Sequence, residues 1–593
     1  MSKGIKMKIL LVAVNAKYIH SCPAVYSLKA YADKYKKSSA QIEIAEYTIN
    51  DRYGDDLSDI IKRDADVIAF STYIWNVERV LKLISDIRKI KGRSVKIWVG
   101  GPESTNAPEK FLVRAEENVN ANHDYEMNIE KQADVCILGE GEQIFTELVD
   151  YVAAMVVADT KQESINMQEL NDIPESGNTT KLNSVQKTTT IETENKTDTL
   201  YHIKGLALPT ENGIQFTGNA PIVDMDKIPF LYNNLLLFDN RIIYYESSRG
   251  CPFNCSYCLS SIDRKVRFRN IEIVKKELQF FLDNNVRQVK FVDRTFNCSH
   301  HHAGEIWKYI NEHDNGITNF HFEIEAALIT DEEIAYLKTL RPGLIQMEIG
   351  IQSTNEKTLK FVNRKAEIDK IEYVVRSIRE KENINIHLDL IAGLPYEDMQ
   401  IFEKSFNRVY NMRSDQFQLG FLKVLKGTEI QKRCEEFGII SSSDSPYQVL
   451  ATKWMSYGEF VMLEQISDMI EIFYNSRFFI RSLPYIEKLF DTPFEMYKKL
   501  AEYYIEKEYN IRQPAAQKRY DIMRDFVHQQ KLQDDELQNV IENYIGFDKA
   551  LHFNKSRHME CRETFQFPDG EKTYYFNYRN RNPVNGEAEF YEV

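Results

Sequence analysis

Three cysteines fall within eight residues, at Cys251-Pro-Phe-Asn-Cys255-Ser-Tyr-Cys258. Thiolate is a soft ligand, and three this close favour zinc or an iron–sulfur cluster. A disulfide staple would leave one thiol over and would need an oxidising compartment. The other five cysteines (Cys22, Cys136, Cys298, Cys434 and Cys561) are scattered, which suits a reducing one. Zinc needs a fourth ligand, which Cys298 or the run His300-His301-His302 could supply. Zinc ribbons pair two cysteines with two more at a distance, and no second pair stands in the chain. A cluster with one iron left open needs only three thiolates. Residues 242–245 are apolar and read as a strand, broken by Ser248-Arg249-Gly250, so the thiols sit on a loop at its C-terminal end.

Two series of elements must position that loop. Residues 7–150 alternate apolar runs at 9–14, 42–47, 67–71, 95–99 and 135–138 with stretches of helical spacing, the pattern of a doubly wound α/β sheet. Ligands of such sheets sit beyond the strand C-termini. Those ends carry Asn15 to His20, then Ser71-Thr72-Tyr73-Ile74-Trp75-Asn76, Gly100-Gly101-Pro102-Glu103 and Gly139-Glu140-Gly141-Glu142. Glycine there lets backbone approach a large flat ligand. The first strand is not followed by Gly-x-Gly-x-x-Gly, which argues against nicotinamide or flavin. After Cys258 a second series runs strand then helix through strands at 289–293, 320–326, 345–351, 384–391 and 417–424, six β/α units with the cysteine strand.

The three-then-two cysteine spacing resembles that of the radical S-adenosylmethionine (radical SAM) enzymes. Phe-Ser-Thr-Tyr-Ile-Trp-Asn, Gly-Gly-Pro-Glu and Gly-Glu-Gly-Glu together resemble the cobalamin-binding domain that precedes many radical SAM domains. The resemblance covers about residues 7–440. It implies a partial (β/α)6 barrel, with Cys251, Cys255 and Cys258 on three irons of a [4Fe-4S] cluster and S-adenosylmethionine on the fourth. Tyr257 then packs near adenine, Asp293 faces the amino group, and Glu325 is a further contact. Glu348 or Gln352 reaches ribose, and Gly393 lies against adenine. For cobalamin it implies Asn15, Ser71, Thr72, Trp75, Gly100, Gly101, Glu103, Gly139, Glu140 and Gly141. The Asp-x-His-x-x-Gly of many cobalamin domains is missing: Tyr18 precedes His20, and Pro23 stands where glycine would. Cobalamin is therefore expected without a histidine ligand, its lower face covered by the 71–76 loop, and His20 is read as making a local hydrogen bond. Cys298, past the second barrel strand, is the one weak catalytic candidate.

Residues 157–200 are polar and aperiodic and read as a flexible insertion. A turn at Asn212-Gly213 marks a hairpin within a connector at 201–240. The expected division is thus 1–156, 157–200, 201–240, 241–440 and a mainly helical 441–593. Helix starts are expected at Ser445-Pro446 and Thr492-Pro493, and a hairpin at Pro568-Asp569-Gly570. The last region resembles the extra C-terminal region of an uncharacterised bacterial branch of these enzymes and is expected to cover the open side of the barrel.

A net charge of −14 argues against a general nucleic-acid partner. No apolar run approaches the ~18 residues of a membrane span, and the six apolar residues at 9–14 are too few for a signal peptide. The expected location is the cytoplasm. The expected partners are a small-molecule or peptide substrate and an electron donor such as flavodoxin or ferredoxin. The resemblance implies methylation of an unactivated carbon or phosphorus. The rivals are a rearrangement or cyclisation on the same scaffold, and a cobalamin- or redox-sensing protein with a vestigial barrel.

Overall fold

A strand covered on both faces needs apolar side chains at successive positions. Lys8–Asn15 (β1) meets this, with Ile9 to Val14 each at most 1% exposed in a computed structural model that describes residues 7–112, 133–171, 200–530, 535–553, 559–582 and 586–593. β1 pairs in parallel with Gln41–Thr48 (β2) and Val67–Ser71 (β3). Lys96–Gly100 (β4) and Val135–Ile137 (β5) continue the parallel sheet. The order β2-β1-β3-β4-β5 reverses direction between β1 and β3, the place where such sheets open a crevice. Helices Pro23–Tyr35 and Gly141–Asn171 bury Val25, Ile144, Phe145 and Leu148 on one face. Helices Tyr53–Lys62 and Val77–Lys91 bury Ile60, Val80, Leu83 and Ile87 on the other.

Two features around the first sheet differ from the sequence expectation. The helix from Gly141 runs to Asn171, past the expected boundary at 156; the rest of the expected insertion, 172–199, lies outside the described residues. The hairpin of Leu206–Thr210 (β6) and Gly213–Phe216 (β7) is no free connector. β6 pairs antiparallel with β5 and extends the first sheet to seven strands.

Ile243–Tyr245 (β8) opens the second sheet. The short Ser248–Arg249 (β9) and Arg267–Phe268 (β10) pair with each other around the cysteine loop. Gln288–Phe291 (β11), Asn319–Ile324 (β12), Ile345–Gln352 (β13), Asn385–Ala392 (β14) and Gln416–Phe421 (β15) complete six parallel strands, ordered β15-β14-β13-β12-β11-β8. β13 alternates Ile345, Met347, Ile349 and Ile351 in the core with Gln346, Glu348, Gly350 and Gln352 on the other face. β14 does the same with Ile386, Leu388 and Leu390 against His387 and Asp389. The apolar set packs under the helices, so the concave face of this partial barrel is polar.

An incomplete barrel leaves two strand edges. At β8, Ile242 donates its N–H to the Ile19 carbonyl (2.9 Å). At β15, the Asn475 carboxamide imitates a strand: Oδ1 accepts from Phe417 N (2.9 Å) and Nδ2 donates to Phe417 O (3.0 Å). Asn475 ends the turn Glu471–Asn475 that continues the helix Tyr457–Ile470, whose Leu463, Ile466 and Ile470 join the barrel core.

Ser445-Pro446 starts no helix. It lies in the loop between Ile440–Ser441 (β16) and Val449–Ala451 (β17), and the helix begins at Tyr457 behind a Ser456/Glu459 capping box. The helix Pro493–Glu506 does start as expected, with Thr492 accepting from Glu495 N. Helices Lys518–Gln529 and Asp535–His552 follow, and then a three-stranded antiparallel sheet of Glu560–Phe567 (β18), Gly570–Arg581 (β19) and Ala588–Glu592 (β20).

Asp548 joins these parts. It is 0% exposed and accepts from Ser482 N (2.9 Å) and Ser482 Oγ (2.7 Å). Burial pushes its carboxyl up to about 7 despite those donors. A folded-state pKa above the unfolded ~4 contributes stability that is present below pH ~4 and is lost as pH rises through 7. Urea unfolding from pH 4 to 8 should show that downward slope, and Asp548→Asn should flatten it.

Candidate active site between two sheets

The cysteine loop leaves β9 through Gly250, whose φ is +101°; a Cβ there would lie 2.7 Å from the Lys265 carbonyl oxygen. Cys251 N donates to Asp263 O (3.0 Å) and Ser256 N to Val362 O (2.9 Å). All three thiols are free. A tetrahedral zinc with Zn–S near 2.3 Å would draw its sulfurs to about 3.8 Å apart. Among the described residues the only group of three such ligand atoms within 4.8 Å of one another is Glu348, His387 and Asp389. The thiols are therefore spread more widely than zinc requires, with neither Cys298 nor a histidine closing the set. His300 pairs with Glu333 instead (2.9 Å), and His302 meets Ser247 Oγ (3.0 Å), burial lowering it to about 4.

Sequence reasoning missed Arg364. Its guanidinium lies 3.9 Å from Cys255 Sγ, pairs with Glu325 (2.9 Å) and donates to the Gly350 carbonyl. Burial raises the Cys255 thiol, and the Arg364 charge opposes that rise. Arg364 follows the helix Glu356–Phe361 on an irregular segment. No local pattern marks it, because its role comes from three elements meeting. Cys298 lies near Asp293 and Cys251, and burial pushes its thiol up to about 11, so it stays protonated near neutrality.

The expected S-adenosylmethionine contacts separate into two groups. Gln352 carries an orphaned polar atom, its buried Oε1, which has no hydrogen-bond partner among the described residues, and the Tyr257 hydroxyl is buried against the Cys255 thiol. An orphaned atom costs stability unless a ligand satisfies it, which fits a polar cofactor beside the loop. Asp293 is already committed. It accepts from Ser247 N (2.9 Å), Ser247 Oγ (2.6 Å) and Ser248 Oγ (2.6 Å), so it braces the turn before the cysteines. Burial still pushes it up to about 6. Glu325 is held by Arg364. Burial would raise Glu348, but His321 and Lys290, each 3.0 Å from Oε2, outweigh it and bring it down to about 2. Gly393, at φ +92°, is covered on its Cβ side by the Phe460 ring, 2.7 Å from where a Cβ would stand.

Between the two sheets lies a cavity of about 810 Å³. Asn15, Ser71, Trp75, Gly100, Gly101, Gly139, Glu140 and Gly141 line it, together with Tyr73, Arg249 and Arg294. Tyr73 and Trp75 stack at 4.5 Å with planes 7° apart, a flat surface on the loop expected to cover the lower face. Gly101, at φ +115°, lies against Thr72, where a Cβ would meet the carbonyl oxygen at 2.5 Å. Thr72 itself is outside the lining: fully buried, it donates to Gly100 O (3.0 Å) and to Ser104 Oγ (2.9 Å). Glu103 is also displaced from the expected role, accepting from Tyr447 OH (2.8 Å). Glu140 is engaged by Arg267 and Arg249, and Glu142 by Arg249 (2.9 Å). Against burial, Arg249 holds Glu142 below the usual carboxylate range. His20 lines the cavity and hydrogen-bonds Tyr244 OH through Nδ1 (2.6 Å).

A B12 binding domain model matches residues 9–120 and a radical SAM superfamily model residues 245–409. The chain is a cobalamin-binding radical SAM enzyme. Residues 435–587 of this enzyme match a family described as a protein of unknown function (DUF4080). An uncharacterized methyltransferase of Pyrococcus horikoshii is 21% identical, over 78% of this chain and 89% of its own length. The cobalamin-dependent radical SAM methyltransferase TokK of Streptomyces tokunonensis is 23% identical over 63% of this chain, which spans 49% of TokK. The radical S-adenosylmethionine methyltransferase TsrM of Kitasatospora setae shares the fold, with a TM-score of 0.54, 15% identity, and 74% and 80% of the two chains covered. The radical SAM domain implies a [4Fe-4S] cluster and S-adenosylmethionine, and the B12 domain implies cobalamin. Cys251, Cys255 and Cys258 would hold the first, the Tyr257 and Gln352 side the second, and the glycine-ended strands with Tyr73 and Trp75 the third.

Gly101→Ala should force the close contact with Thr72 apart. The expected cost is about 1–3 kcal/mol in urea unfolding, with weaker corrinoid retention on gel filtration.

Proposed function

We propose that this enzyme is a methyltransferase that cleaves S-adenosylmethionine reductively and methylates an unactivated carbon of a small-molecule or peptide substrate. The observation that carries the reading is the shared cavity. The glycine-ended strands β4 and β5 and the segment before the cysteine loop line the same 810 Å³ space. The names of TokK and of the Pyrococcus horikoshii relative, both methyltransferases, support it. When bound, the cluster supplies the electron for S-adenosylmethionine cleavage and cobalamin carries the methyl group.

The chain's own residues do the positioning. Arg364 places positive charge at the Cys255 thiolate and the Glu325 carboxylate. Arg249 ties the segment before Cys251 to Glu142 of the first domain, so neither wall of the cavity moves alone. Trp98, Phe145 and Val292 make part of the wall apolar, which excludes water from a reactive site. Eight free cysteines suit a reducing cytoplasm, where a flavodoxin or ferredoxin would supply the electron. Among the described residues no helix is long and apolar enough to cross a membrane.

Protein purified without oxygen, reconstituted with iron, sulfide and hydroxocobalamin and reduced with dithionite, should convert S-adenosylmethionine to 5′-deoxyadenosine and S-adenosylhomocysteine. Cys255→Ala should reduce the deoxyadenosine to background. Deoxyadenosine without S-adenosylhomocysteine would leave a radical enzyme and sink methyl transfer.

A further inference from the structure

Charged side chains around the cavity and on the concave face of the barrel are mostly paired within the protein. Arg249 has Glu142 and Glu246, and Arg267 has Glu140 and Asp263. Lys290 and His321 share Glu348, His387 has Asp389, and Arg364 has Glu325. Arg294 and Glu323 are the exceptions. Among the described residues neither side chain makes a hydrogen bond or an ion pair, with each other or with any other group.

Arg294 follows β11, is exposed and lines the cavity. The residue after it, Thr295, reaches the Cys251 thiol (3.5 Å). Glu323 lies on β12, its Cα paired across the ladder with that of Glu348, so both carboxyls point to the polar interior. Glu348 has its own cation and imidazole, and Glu323 has none in contact. Arg294 is near enough to act electrostatically on both Glu323 and Tyr73, which faces the cavity from the first domain. It therefore stands where the cysteine loop, the barrel interior and the first sheet converge.

A guanidinium and a carboxyl left unpaired this close gain nothing for the fold. They have not collapsed into an ion pair with each other, which leaves room for a ligand that brings one group of each sign. A guanidinium fork matches a carboxylate with two parallel hydrogen bonds, and a half-buried carboxyl matches an ammonium.

We propose that Arg294 and Glu323 receive the carboxylate and the protonated amine of the substrate, so that the enzyme acts on a free amino acid. The inference rests on reading the cavity as the place where substrate meets both cofactors, and it narrows the substrate class named above.

Equilibrium dialysis tests it on the reconstituted holoenzyme with S-adenosylmethionine present. The probes are the pooled standard L-amino acids, the same pool as carboxamides, and the same pool N-acetylated, with mass spectrometry identifying what is retained. At least one free amino acid should be retained and its carboxamide and N-acetyl forms released. Arg294→Gln and Glu323→Gln should each weaken retention on the order of tenfold or more, with the unfolding midpoint unchanged because neither side chain has a partner in the fold. Three outcomes would overturn the assignment: no free amino acid retained, equal retention by both variants, or Arg294→Gln weakening S-adenosylmethionine binding in place of amino-acid binding. Retention is read without turnover. A protein that binds no corrinoid or cleaves no S-adenosylmethionine counts against the methyltransferase reading, and the dialysis still decides this one.

Discussion

Arg249 is the side chain on which the site depends. A guanidinium this enclosed must be matched by carboxylates, and its partners come from both domains: Glu140 and Glu142 from the first, Glu246 from the second. Removing one partner of a buried ion pair typically costs about 3–5 kcal/mol, because the other charge stays behind. Gly250 and Cys251 follow directly, so the ion cluster that joins the domains also fixes where the cysteine loop begins. Arg267, from β10 on the far side of the loop, repeats the arrangement with Glu140. The cavity exists because these contacts hold two sheets with their C-terminal ends facing one another.

The barrel interior follows a second electrostatic rule. Its concave face is polar, and a polar face inside a barrel is tolerated only if its charges cancel locally. Lys290, His321 and Glu348 form one balanced group, and His387 with Asp389 another. That balance turns a lined interior into a selective one, since any charge left over must be met from outside the protein.

How much of this was legible in the sequence follows from the range of each interaction. The cysteine spacing is local and could be read directly, as could the alternation of β13 and β14 that turns Glu348 and His387 inward. The glycines beyond β4 and β5 were legible as a class of strand end. Roles set by distant partners were not. Thr72 looked like a ligand contact but closes onto Gly100 and Ser104. Glu103 is claimed by Tyr447, hundreds of positions along the chain. Phe460 of a C-terminal helix packs on Gly393, and Asp293 accepts from Ser247 and Ser248. Arg364 had no signature because it is defined by Cys255, Glu325 and Gly350, which only the folded barrel brings together. The β6–β7 hairpin was visible as a hairpin, but its pairing with β5 was not, because nothing local to a strand names its neighbour.

Asn475 gives the C-terminal region a meaning beyond shaping a pocket. A six-stranded open barrel ends in a row of unsatisfied amides, and bare strand edges recruit further strands. With its carboxamide on Phe417, and the helix behind it on the barrel core, the chain beyond residue 441 covers part of that edge. A version shortened to the two cofactor-binding domains would not be a minimal catalyst. It would be a chain with a sticky margin, whose failure in solution would look like insolubility although its cofactor ligands were all intact.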